Sequence, residues 1–117
     1  MKPQSAKAKG RLLQKVVRNA ILEAYPDLTD RDVRSTSMGA SGVDVLLSEV
    51  AVQRFPYSVE CKNRARMAIY DIWTDTTDNV APNTHPLLVV KANGKEPLAI
   101  VSLKHFMELQ HESQKNN

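Results

Sequence analysis

The stretch Y-S-V-E-C-K at residues 57–62 decides how this 117-residue chain is expected to fold. Side chains of a β-strand alternate between the two faces of a sheet, so Glu60 and Lys62 share one face, whereas Val59 and Cys61 share the other. The apolar pair can enter a hydrophobic core and leave a carboxylate beside an ammonium group at the end of the strand. The stretch therefore predicts a half-buried strand with a charged pair on its other face.

A second apolar run, Val43–Leu47, carries Asp44 directly after a glycine and a valine. A carboxylate inside an apolar run is costly unless a metal ion or another group balances it. If this run pairs with residues 57–62 as a hairpin, Asp44 lies next to Glu60. Two converging carboxylates suit a hard cation such as Mg²⁺. The alternative is that Glu60 and Lys62 only form a weak ion pair on a solvated strand face.

Positive charge is concentrated at the N-terminal end of the chain. Residues 1–18 contain six basic side chains and no acidic one, whereas the net charge of the whole chain is only +3. A basic block of this kind suits a polyanion, because each neutralised phosphate releases counterions. The alternative is an end of the chain that only improves solubility.

The single cysteine, Cys61, excludes an intrachain disulfide and favours a reducing compartment. The sequence shows no hydrophobic N-terminal export signal and no apolar run long enough to span a bilayer. We therefore expect a cytoplasmic protein that does not interact with membranes.

Apolar periodicity predicts alternating helices and strands. Apolar residues recur at helical spacing from Gly10 to Tyr25, and Pro26 ends that helix. Asn93-Gly94 indicates a hairpin turn between the last two strands. The other predicted elements are a short strand from Val33, strands over 43–47, 57–61, 86–91 and 97–102, a helical turn within 48–55, and helices over 64–79 and 103–110.

This order of elements predicts an α/β fold, with a central mixed β-sheet flanked by helices. The length suits one domain, which we place at residues 9–111. Residues 1–8 are predicted to be a disordered basic tail, and residues 112–117 a second disordered tail.

The G-V-D of residues 42–44 and the E-C-K of residues 60–62, together with K-G-R at 9–11 and the segment 32–40, resemble a small PD-(D/E)XK endonuclease. Within that superfamily the chain is similar to phage-type nucleases related to archaeal Holliday junction resolvases. The resemblance covers about residues 7 to 106 and implies a restriction-endonuclease-like αβββαβ core. For a phage-encoded protein it implies action in the host cytoplasm. The proline that usually precedes the first aspartate is Val43 here.

The resemblance implies a metal-dependent DNA endonuclease that hydrolyses phosphodiester bonds. Its catalytic residues would be Asp44, Glu60 and Lys62. Asp44, Glu60 and the backbone carbonyl of Cys61 would hold Mg²⁺, and we expect Mn²⁺ to substitute for it. Lys62 would either orient or deprotonate the attacking water, or stabilise the negative charge of the transition state.

Many members of the superfamily carry a further metal ligand, a glutamate, on the first helix. The corresponding residue here is either Gln14 or Glu23. Gln14 lies one helical turn from both Arg11 and Arg18, so we expect it on the polar side of the helix or at its border.

The expected partner is DNA. The most specific hypothesis is a branched molecule or four-way junction that is cut by a homodimer. The serine- and glycine-containing segment 35–42 is predicted to be a loop that enters the site and bonds a phosphate. The candidate DNA-binding residues are Lys7, Lys9, Arg11, Lys15, Arg34, Ser35, Ser37, Arg64 and Arg66. Two alternatives remain, namely a general, repair-type or restriction-type nuclease and a DNA-binding module without catalysis.

Overall fold

The computed structural model of the protein describes residues 6–36 and 43–115. It has an α/β fold, as predicted, in which a mixed three-stranded sheet and a two-stranded sheet are flanked by the four helices of the described residues. In chain order the elements are α1 (Ala6–Ala24), β1 (Val33–Ser35), β2 (Val45–Leu47), α2 (Glu49–Arg54), β3 (Tyr57–Asn63), α3 (Ile69–Asp78), β4 (His85–Lys91), β5 (Leu98–Ile100) and α4 (Leu103–Lys115).

The strands of the described residues form two ladders. β1 and β2 pair antiparallel, with Val33 opposite Leu47. β3 and β4 run parallel, with Tyr57 opposite His85, and β5 pairs antiparallel with β4. A parallel pair needs a crossover, which α3 provides. The hairpin considered between the second apolar run and β3 does not form, because β2 takes β1 as its partner instead.

The main core lies between α1 and one face of β3 and β4. Val59 and Cys61 are 0% and 6% exposed there, which confirms the alternation predicted for β3. A smaller cluster under α3, on the other face, contains Ile72, Leu88 and Val90. β4 is therefore covered on both faces, as is usual for a strand with a parallel neighbour. Within the described residues, no helix has the length and apolar character needed to cross a membrane.

Several helices differ from prediction at their ends. α1 begins at Ala6 and α4 continues to Lys115, so parts of both predicted tails, 6–8 and 112–115, are helical. Alanine and lysine at the start of α1 are good helix formers, and no proline or glycine interrupts the end of α4. α3 begins only at Ile69, because the Arg64 N–H still donates to the Lys91 carbonyl at 3.0 Å and continues the pairing of β3 with β4.

Candidate active site

Asp44 lies directly before β2, and its backbone joins two parts of the fold. Its carbonyl oxygen accepts hydrogen bonds from the Thr36 N–H at 3.0 Å and from the Thr36 hydroxyl at 3.2 Å. Its own N–H donates to the Val59 carbonyl oxygen at 2.9 Å. Asp44 is therefore fixed against the edge of β3 although β2 and β3 form no ladder. Thr36 belongs to the segment 35–42 that is predicted to bond a phosphate, and residues 37–42 of that segment lie outside the described residues.

The Asp44 side chain reaches the E-C-K segment itself. The Cys61 N–H donates to Asp44 Oδ2 at 2.7 Å, a short, charge-assisted hydrogen bond. In an extended strand the N–H and C=O of one residue point to the same side. The Cys61 carbonyl therefore points toward the same edge of β3 as the Asp44 carboxylate.

Glu60 and Lys62 contact each other on the face of β3 that points away from the main core. Lys62 Nζ lies 3.2 Å from Glu60 Oε1, and the two side chains are 27% exposed for Lys62 and 16% for Glu60. This contact shows that the two side chains share one face of the strand, as its alternation predicts. Both side chains are partly buried, so solvent screens this ion pair less than it would a fully exposed one.

The two carboxylates occupy an environment that disfavours their charge. Burial raises the pKa of Asp44, against the opposing effects of the Cys61 N–H and the Lys62 ammonium. Burial also raises the pKa of Glu60, and the negative charge of Asp44 raises it further, while Lys62 lowers it. Asp44 and Glu60 therefore repel each other in a partly desolvated site. A cation between them would relieve both effects.

The donor set fits a magnesium ion. Asp44 uses Oδ2 and Glu60 uses Oε1 in the contacts above, and their other carboxylate oxygens make no hydrogen bond within the described residues. With the Cys61 carbonyl, the chain offers three oxygen ligands. Within residues 6–36 and 43–115, no group of three His, Cys, Asp or Glu side chains could hold a metal ion. Mg²⁺ usually keeps several waters and needs only one or two carboxylates, so this set is sufficient.

The two α1 candidates for a further ligand lie in different places. Gln14 is 2% exposed and lies one turn from the buried Gly10. Of the two positions expected for it, the polar side is therefore wrong, and Gln14 lies inside the border of the apolar face. Glu23 is exposed and lies about 21 Å along the helix axis from Lys9. Because the Lys9 carbonyl contacts Asn63 at the end of β3, the structure does not bring Glu23 to the site.

Most candidate DNA-binding side chains are accessible. Arg64 and Arg66 directly follow the end of β3 that carries Lys62, and Lys9 lies at the start of α1, against the same end. The exposed candidates are Lys7, Arg11, Lys15, Arg34, Arg64 and Arg66, the half-buried ones are Lys9 and Ser35, and Ser37 lies outside the described residues.

Two residues near the site were not predicted from the sequence. Asp75 on α3 raises the pKa of Glu60 through its negative charge. Its spacing from Asp71 and Asp78, about one helical turn each, is a signal that a search for acidic helix faces would have found. Asn63 ends β3 directly after Lys62, and its side chain donates to the Lys9 carbonyl oxygen at 3.2 Å. No pattern in the sequence pointed to that contact.

The Cys61 side chain is not a candidate nucleophile. It is buried in the main core, as predicted, and burial strongly raises the pKa of the thiol. A thiol that resists deprotonation is a poor nucleophile.

The histidines His85 and His105 lie at the far end of the sheet. His105 is buried, its Nε2 lies 2.7 Å from the Tyr57 hydroxyl, and its ring stacks on His85 at 4.1 Å. Tyr57 begins β3, whereas Glu60 and Lys62 lie near its other end. These two histidines therefore anchor α4. The sequence predicts structural or surface histidines, because their spacing does not match a zinc site, and these contacts agree with a structural role.

The helical periodicity of residues 64–79 predicts that Tyr70 and Trp73 pack in the core rather than stack on bases. This prediction is wrong for Tyr70, which is 86% exposed. Trp73 is packed against the smaller core cluster.

Comparisons of the chain with protein-family models, with curated proteins and with solved structures give no significant match.

Proposed function

We propose that this protein is a Mg²⁺-dependent endodeoxyribonuclease that hydrolyses phosphodiester bonds. The observation that carries the proposal is the hydrogen bond from the Cys61 N–H to Asp44 Oδ2, which joins Asp44 to the strand that carries Glu60 and Lys62. Without this contact the Glu60–Lys62 pair would be an ordinary ion pair on a strand. With it, two carboxylates and an ammonium group meet at one strand end.

Each group of the site has a role in this chemistry. Asp44, Glu60 and the Cys61 carbonyl would hold Mg²⁺, which supplies an activated water and stabilises the leaving alkoxide. The ion pair with Glu60 fixes the position of the Lys62 ammonium group. As an ammonium group, Lys62 would orient the attacking water or stabilise the extra negative charge of the pentacovalent transition state. Deprotonation of the water by Lys62 would require the neutral amine, which has a lone pair to accept the proton.

The proposal is tested by incubating the purified protein with a panel of labelled DNA substrates, with and without Mg²⁺. The panel contains a four-way junction, a flap, linear duplex and single-stranded DNA. We expect cleavage only with Mg²⁺, or with Mn²⁺ in its place, and fastest on the junction. Binding without cleavage of any substrate would favour a DNA-binding module, and equal cleavage of all substrates would favour a general nuclease.

Selectivity for branched DNA follows from the character of the basic surface. The exposed cations around the site can contact phosphates, which fix position but carry no sequence information. Shape would then choose the substrate. Two active sites related by a two-fold axis match the symmetry of a four-way junction, so a homodimer belongs to the proposal.

The dimer is predicted to form through α3 and α4. Tyr70 and Leu103 are 86% and 75% exposed and line one largely apolar hollow between these helices. We expect the Y70E/L103E double variant to be monomeric by light scattering. It should still cut one strand of a four-way junction at a time, but it should lose the paired, symmetric nicks. The K104A/K115A control makes the same change in net charge, but its residues line a different hollow on α4, so it should stay dimeric. A wild-type protein that is monomeric at all concentrations would contradict this prediction.

The basic start of α1 is predicted to contact phosphates. Because residues 6–9 are helical, substitution is a cleaner test than truncation. In the K7A/K9A variant, the slope of log K for DNA binding against log salt concentration should fall by about 0.9 for each phosphate that is no longer neutralised. The K104A/K115A control should keep the wild-type slope. Equal slopes for all three proteins would mean that Lys7 and Lys9 make no phosphate contact.

A further inference from the structure

Asn63, at the end of β3, forms a hydrogen bond to the start of α1. In the proposed function, β3 carries the catalytic pair and the start of α1 binds DNA. The Asn63 Nδ2 donates to the Lys9 carbonyl oxygen at 3.2 Å, across 54 positions of the chain. A carbonyl oxygen has two lone pairs, and the hydrogen bonding of a helix needs only one of them. The bond from Asn63 is therefore added to the helix from outside and ties the start of α1 to the end of β3.

This contact costs stability as well as contributing to it. The other amide atom of Asn63, Oδ1, is buried and has no hydrogen-bond partner among residues 6–36 and 43–115. A buried acceptor left unpaired destabilises the fold, and this cost offsets what the bond to Lys9 contributes. Asn63 shares its strand face with Val59 and Cys61, both of which pack in the main core. An apolar residue would fit that face at least as well, so stability alone does not account for an asparagine.

The position of Asn63 relates the tie to the active site. Lys62 precedes it directly, with its side chain on the opposite face, and Arg64 follows with its N–H bonded to the Lys91 carbonyl. The backbone on both sides of Asn63 is therefore held by β3 and β4. Any motion of the start of α1 relative to Lys62 has to stretch or break the Asn63–Lys9 bond.

We propose that Asn63 is a positioning residue that holds the basic start of α1 in register with the Glu60–Lys62 pair. A phosphate bound by Lys7 or Lys9 then lies at a fixed distance from the group that is cleaved. This inference rests on the proposed function and adds to it the residue that aligns DNA binding with catalysis. Asn63 itself touches neither DNA nor metal and acts through Lys7 and Lys9.

The first test compares N63A with N79A in binding to labelled duplex and junction DNA in the presence of EDTA. Asn79 is a matched control, because its Nδ2 makes a similar bond to the Asp75 carbonyl at 3.0 Å, away from α1. We expect N63A to lower affinity about tenfold and the salt slope by about 0.9, the value for one phosphate contact. N79A should change neither quantity. Wild-type affinity and slope in N63A would overturn the inference.

A double-mutant cycle shows through which residues Asn63 acts. If it positions Lys7 and Lys9, N63A should weaken binding of the wild type but have no further effect in the K7A/K9A background. An equal reduction in both backgrounds would overturn the inference, because the effect would then not pass through the basic turn.

A third readout does not depend on DNA. Hydrogen exchange at the amides of residues 10–13, which bond within the first turns of α1, should become faster in N63A and stay unchanged in N79A. Unchanged exchange in N63A would overturn the positioning role. If the wild type binds no DNA, the proposed function fails and the role of Asn63 fails with it. If the wild type binds DNA and N63A behaves as the wild type does, the inference about Asn63 fails alone.

Discussion

The variants K62A, E60Q and D44N are each expected to cleave DNA roughly 10²–10³-fold more slowly than the wild type, with DNA affinity in EDTA nearly unchanged. This is the usual cost of removing one group that stabilises the transition state in a water-poor site. Lys62 and Glu60 are paired at 3.2 Å, and Asp44 reaches the same strand through its bond to the Cys61 N–H. Removal of any one of the three leaves the other two in place, so catalysis falls while the DNA-binding surface remains.

Single-turnover rates on the four-way junction, measured over a range of Mg²⁺ concentrations, separate the roles of the three residues. D44N and E60Q weaken the ligand set, so the Mg²⁺ concentration at half-maximal rate should rise. K62A removes no ligand, so its half-maximal concentration should not rise, although its limiting rate falls. D30N, which changes an exposed aspartate outside the site, serves as the control. A rate within about a factor of three of the wild type, far smaller than the effect of a transition-state stabiliser, would refute the assignment of the residue concerned.

The strand that carries the site was predictable because its signal is local. The alternation in residues 57–62 specifies which side chains enter the core, and Val59 and Cys61 do so. The same alternation placed Glu60 and Lys62 together, and their ion pair follows from it. Period-two and helical patterns of this kind also sufficed for the fold class, since each apolar face needs a covering layer.

The sequence could not show which segments, far apart in the chain, contact each other in the fold. The apolar run 43–47 could pair with the strand before it or with the strand after it, and it pairs with β1. Ser48 ends the run and caps α2, which lies between β2 and β3, by accepting a hydrogen bond from the Ala51 N–H at 3.2 Å. Asp44 reaches β3 through a bond from a backbone N–H to its side chain, which no periodicity encodes. Gln14 lay at the border of the helical stripe, and only the packing of α1 on the sheet decides that it is buried.

The site should also leave a signature in stability, beginning with the protein free of metal. Burial raises the pKa of Asp44 in the folded state, so at neutral pH its charge opposes folding. The folded state binds more protons than the unfolded state between the two pKa values, and this contribution to stability falls as pH rises through that window. D44N removes the charge and keeps an oxygen for the Cys61 N–H. In EDTA at pH 7 its free energy of unfolding should exceed that of the wild type by about 1 kcal/mol. The difference should shrink as the pH falls toward the ordinary pKa of an aspartate, about 4.

Added Mg²⁺ should reverse that order. A ligand that binds only the folded state at about one hundred times its Kd stabilises it by about 2.7 kcal/mol. For a chain of 117 residues this raises Tm by about 10 °C. The wild type should gain this increase, whereas D44N, with one ligand weakened and less negative charge at the site, should gain little.

Thermal unfolding of the wild type, D44N and D30N, each in EDTA and in Mg²⁺ at pH 7, measures both effects. D30N should follow the wild type in both buffers, because its aspartate is exposed and lies outside the site. If D44N is less stable than the wild type in EDTA, the Cys61 N–H bond and the Lys62 charge outweigh the burial of the Asp44 carboxylate, and the predicted order is wrong. An equal rise in Tm for the wild type and D44N would place the Mg²⁺ ion elsewhere on the protein, because a site built on the Asp44 carboxylate has to weaken when that charge is removed.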